Sequence, residues 1–75
     1  MSVRERIAFL VDQGRDLTGL CIVRIFATTG GIVEFLCADK DFALERIDSR
    51  RKKWKFFQAA TLSVHDGVCW VEISV

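Results

Sequence analysis

This chain lacks the usual devices that hold a very small domain together. It has one histidine and three cysteines, Cys21, Cys37 and Cys69, an odd number with no CxxC pair among them. That set points away from a disulfide framework, a metal cluster or any cofactor, and predicts three small buried hydrophobes in a reducing cytosol. Long apolar runs are missing as well. MSVRERIAFLVDQGRD is interrupted by charge every few residues, which fits no signal peptide, and nothing approaches the roughly 20 apolar residues of a membrane span. A cytoplasmic protein without membrane contact is expected. Nor is there a strong charge imbalance: the formal net charge is +1, which alone predicts neither nucleic-acid nor membrane binding.

Catalytic constellations are scarce too. His65 and Asp66 are the only adjacent acid/base pair, and neighbours in a tight turn point apart instead of forming a relay. Gly30-Gly31 is followed by a strand pattern, whereas a phosphate-binding loop opens a helix. Cys69 falls on an apolar strand face, without the accessible, electropositive setting of a nucleophile. No enzyme is expected.

What the chain does have is apolar surface (51% hydrophobic residues) and one concentrated patch of charge. A domain of 75 residues buries only about 60% of its unfolded surface, so self-association is the remaining route to extra stability, and a homo-oligomer is expected. Six of the eleven basic residues fall between 45 and 55 (Arg46, Arg50, Arg51, Lys52, Lys53, Lys55), against Glu45 and Asp48. The remainder is mildly acidic, so a single basic segment is set on an acidic body.

The clearest local signal is near the C-terminus. Asp66-Gly67 suits a two-residue turn with both φ angles positive, flanked by period-2 apolar residues. That loop would place Leu62, Val64, Val71 and Ile73 on one face, with His65, Ser63, Val68, Trp70 and Glu72 on the other. Trp70 is thereby left among polar neighbours, under another element or facing a partner. At the other end, Ser2 and Glu5 make a capping box, Val3, Ile7, Leu10 and Val11 form a helical stripe, and Gly14 supplies a stop, predicting a helix over 2–13.

Between these lie strand-like segments over 17–28 and 32–38, joined through TTGG as a hairpin. A two-residue loop there would put Ile22, Arg24, Phe26, Val33, Phe35 and Cys37 on one face. Arg24 on this face and Glu34 on the other are the charged exceptions to two mostly apolar faces. Residues 42–47 (FALERI) read as a short strand, with a helix as the alternative because the run has no Gly or Pro. The alternation Trp54, Phe56, Gln58, Ala60, Leu62, Val64 continues in phase into the last hairpin, favouring one long bent strand over 54–65, and a last strand covers 68–75.

These elements predict a single α+β domain: an N-terminal helix followed by a strongly bent five-stranded antiparallel sheet, closed as a small barrel. The segment FALERIDSRRKKW, through Phe42, Leu44, Arg46 and Ile47, resembles a strand of WYL-type domains and of Sm-like (SH3-like) modules. That resemblance implies a small barrel that binds nucleic acid or a regulatory ligand; the chain departs from it in lacking a Trp-Tyr-Leu triplet and the Sm signature.

Two functional expectations follow. In the first, Arg50, Arg51, Lys52, Lys53 and Lys55 contact phosphates and Phe57 stacks on unpaired bases of RNA or single-stranded DNA, with Trp54 and Phe56 in the core. In the second, Trp70, Phe57 and Val68 form a protein-partner surface, and the final strand adds to a neighbour's sheet.

Overall fold

The computed structural model describes residues 2–75. Its elements run α1 (Val3–Asp12), β1 (Cys21–Ala27), β2 (Ile32–Cys37), α2 (Lys40–Lys53), β3 (Phe57–His65) and β4 (Trp70–Ile73). The strands form one antiparallel sheet in the order β2-β1-β3-β4, which leaves β2 and β4 as free edges. The expected five-stranded closed barrel is therefore replaced by an open four-stranded sheet with two helices.

The missing strand is α2. Residues 42–47 are helical, so Phe42, Leu44, Arg46 and Ile47, which carry the resemblance above, lie on a helix. The Asp39 carboxylate caps it, accepting the Phe42 N–H at 2.7 Å. Asp41 lies in the first turn and Arg50, Arg51, Lys52 and Lys53 in the last, each sign matched to its end of the helix dipole. The buried stripe is narrow: Ala43 and Ile47, one turn apart, are 0% and 2% exposed, while Phe42 and Leu44 lie off it. Trp54 ends the helix in an extended conformation, so the strand expected from residue 54 begins only at Phe57.

α2 packs against β1, β2 and β3. Beneath it Cys21, Val23, Ile25, Cys37 and Leu62 join Ala43 and Ile47 in a core flanked by Val33, Phe35, Trp54, Phe57, Ala60 and Val64. α1 forms where expected. Ser2 accepts the Glu5 N–H at 3.2 Å. At its other end Gly14, at φ +70°, turns the chain so that the Gly14 and Arg15 N–H groups reach the Val11 and Leu10 carbonyls. The helix lies beside β2 and buries none of its residues fully. Neither helix is long and apolar enough to cross a membrane.

Both hairpins depart from the expected loops. In the first, Ala27 donates to the Gly31 carbonyl at 2.8 Å, leaving Thr28, Thr29 and Gly30 as a three-residue loop with Gly30 at φ +92°. One extra residue turns β2 over: Val33, Phe35 and Cys37 stand opposite Ile25, Val23 and Cys21. Arg24 then faces Glu34, and its Nε donates to that carboxylate.

In the second hairpin His65 pairs with Trp70 and Val64 with Val71, so the loop is Asp66 to Cys69, two residues longer than expected. The even shift keeps the assignment of faces but lifts Cys69 out of the strand. It is exposed, unlike Cys21 and Cys37. Asp66 organises this loop by accepting the Val68 and Cys69 N–H groups at 2.8 and 2.9 Å, bonds that lower its carboxyl pKa.

Candidate nucleic-acid interface

The basic residues occupy the C-terminal turn of α2 and the segment leading into β3. Lys52 pairs with Asp48 one turn back at 3.0 Å. Among the described residues Arg50, Arg51, Lys53 and Lys55 have no carboxylate within salt-bridge distance. Three of these four lie against aromatic rings instead: Arg50 is 6.0 Å from the centre of Trp54, Arg51 is 5.4 Å from Phe57 and Lys55 is 5.0 Å from Phe56. Farther up the helix, Arg46 lies 4.8 Å from Phe35 and 5.7 Å from Phe42.

Which ring remains accessible is set by a bulge. β3 pairs with β1 as Phe26 to Ala59 and then Ala27 to Phe57, so Gln58 has no counterpart and the alternation slips by one residue. Phe57 turns onto the core and is half-buried, whereas Phe56 is 39% exposed, the reverse of the expected roles. Phe56 meets Trp54 edge to face at 6.4 Å, so the accessible ring is braced by a neighbour. The bulge has no signature in the sequence. Arg46 stands one turn before Arg50 on α2, an alignment that exists only because this segment is helical.

The expected partner surface is dispersed. Phe57 begins β3, while Val68 and Trp70 lie at the turn beyond its other end, about 26 Å away at the rise of a strand. Val68 is 89% exposed at that turn. Trp70 is half-buried, edge-on to His65 with ring centres 5.0 Å apart.

Other chemistry is sparse. His65 Nδ1 accepts the Gly67 N–H at 3.1 Å, and Asp16 is held by the Thr18 N–H and hydroxyl at 3.0 and 2.7 Å, which lowers its pKa. Among the described residues no three His, Cys, Asp or Glu side chains gather as metal ligands. A cleft of about 500 Å³ beside α1 and β2 is lined by Ser2, Val3, Arg6, Glu34, Phe35 and Leu36. Its carboxylate is already bonded to Arg24. Comparison with family models, curated proteins and solved structures finds no match to this chain.

Proposed function

We propose that this protein is a small non-enzymatic module that binds RNA or single-stranded DNA through the end of α2 and the segment entering β3. The observation that carries this reading is the group Arg50, Arg51, Lys53 and Lys55, without carboxylate partners among the described residues and placed beside Trp54 and the exposed Phe56. The cations contact phosphates, and Phe56 offers a face to an unpaired base in place of Phe57. Lys52, with the Asp48 carboxylate beside it at 3.0 Å, adds less net positive charge to the surface than its four neighbours. The module acts in the cytoplasm.

The test is titration of a fluorescent single-stranded oligonucleotide at several salt concentrations. With four phosphate contacts, log K falls with log salt at a slope of roughly −3, a loss of roughly 50-fold between about 50 and 200 mM. Absence of binding at low salt removes the reading.

A second reading, self-association, rests on surface area. The chain exposes 5228 Å², against about 4,700 Å² for a compact monomer of 8.5 kDa. Phe9, Val11, Ile32, Phe42, Val71 and Val75 are each more than 40% exposed. Light scattering on the eluting protein tests this reading; a monomer mass across the accessible concentration range removes it.

A further inference from the structure

Cys21 and Cys37 are paired residues on adjacent strands, and both side chains lie on the face beneath α2, 0% and 4% exposed. We propose that they form a reversible intrachain oxidation site, cycling between two thiols and one disulfide in exchange with low-molecular-weight disulfides.

The register brings them within range. Directly opposed residues of an antiparallel pair have Cα atoms about 4.5–5.5 Å apart, inside the span a disulfide accepts. The Ala27 to Gly31 bond identifies that pair as hydrogen-bonded, and alternate pairs share this character, so Cys21 and Cys37 sit at the wider spacing, near 5.5 Å. Their Cβ atoms must approach by up to about 1 Å for the bond to form. A bond made against that resistance is readily reduced, as a switch requires and a permanent staple does not.

At 0% and 4% exposure both sulfurs are closed to an oxidant in the resting fold, so entry requires the end of the hairpin that carries them to open. Cys21 is the first residue of β1 and Cys37 the last of β2, the end farthest from the three-residue loop. Burial pushes both thiols upward in pKa, partly offset by Lys40 at Cys21 and by Arg46 at Cys37, so exchange can start at either sulfur, here at Cys37. Its thiolate attacks one sulfur of the oxidant RSSR, forming a mixed disulfide and expelling RS⁻, which takes up a proton. The Cys21 thiolate then attacks the Cys37 sulfur, closing the intrachain bond and expelling the second RS⁻. Two electrons and two protons pass from the protein to the oxidant, which leaves as two thiols. Cys69, at the exposed second turn, takes no part.

The experiment uses the full chain carrying Cys69→Ser, incubated folded with oxidised glutathione and compared with the reduced protein by intact mass, peptide mapping and thermal melting. Expected are a product about 2 Da lighter, a linked peptide pair containing Cys21 and Cys37, a melting temperature raised by less than the roughly 10 °C that an unstrained link would give, and recovery of both thiols with dithiothreitol. In the same background, Cys37→Ala gives no product that has lost two hydrogens. Two free thiols after prolonged incubation, a product that stops at mixed disulfides, or a linked form melting below the reduced protein overturns the proposal.

Discussion

Phe57 stands opposite Ala27, although the phase of every earlier pair between β1 and β3 would bring Gln58 to that side of the sheet. This slip divides two adjacent phenylalanines between different tasks. Phe57→Ala should lower stability by about 2 kcal/mol, because it empties part of the core margin, and leave a folded protein that binds oligonucleotide. Phe56→Ala should leave the melting temperature nearly unchanged and weaken single-strand binding by about 1–3 kcal/mol. Equal effects of the two on affinity would refute this division.

The charge reading separates Lys52 from its neighbours. Replacing Arg50, Arg51, Lys53 and Lys55 together by glutamine should flatten the salt dependence of oligonucleotide binding almost completely. Lys52→Gln alone should change the slope by well under one unit, since Asp48 already holds that ammonium. Circular dichroism of the quadruple variant checks that α2 survives.

The fold rests on α2 starting at the right residue. Asp39→Ala should cost about 1 kcal/mol by leaving the Phe42 N–H without its side-chain acceptor, and Asp39→Asn much less. Ile47→Ala should cost about 2–4 kcal/mol, because this is the largest side chain α2 buries. Urea melts monitored at the far-ultraviolet helix signal measure both.

Asp66 and Asp16 tie stability to acid. Backbone N–H groups of Cys69 and Val68 lower the Asp66 carboxyl below 3.8, and Thr18 does the same for Asp16. A carboxyl depressed in the folded state contributes stability that is fully present above 3.8 and disappears as pH falls through the lower folded value. Melting temperatures measured from about pH 6 down to about pH 2 should therefore fall less steeply for Asp66→Asn than for the unaltered protein, and less steeply again for Asp16→Asn with Asp66→Asn.

Legibility in the sequence followed the range of the interactions. α1 depends on Ser2, Glu5 and Gly14, all within one short segment, and it was readable from them. Asp66-Gly67 marks the place of the turn, but not its length: only Gly67, at φ +104°, takes a positive φ, while Asp66 instead accepts two N–H groups and extends the loop to Cys69. α2 misled because its stripe contains only alanine and isoleucine at its centre, while Phe42 and Leu44 mimic a strand face; the cap at Asp39 and the ordered charges were signals that favoured helix. The bulge at Gln58 and the three-residue loop before Gly31 arise from neighbouring strands, and a shift of one residue was enough to exchange the roles of Phe56 and Phe57 and to bring Cys37 beside Cys21. The basic cluster was legible as a cluster, but its placement at the carboxyl end of a helix was not.

With β2 and β4 at the margins and β4 only four residues long, β1 alone is flanked by a paired strand on both sides throughout its length. Its amides from Cys21 to Ala27 cannot reach deuterated solvent until one neighbour has peeled away, so they should be the last to lose their protons. The most protected element of the molecule is thus its innermost strand, and the termini can open and reclose without disturbing it.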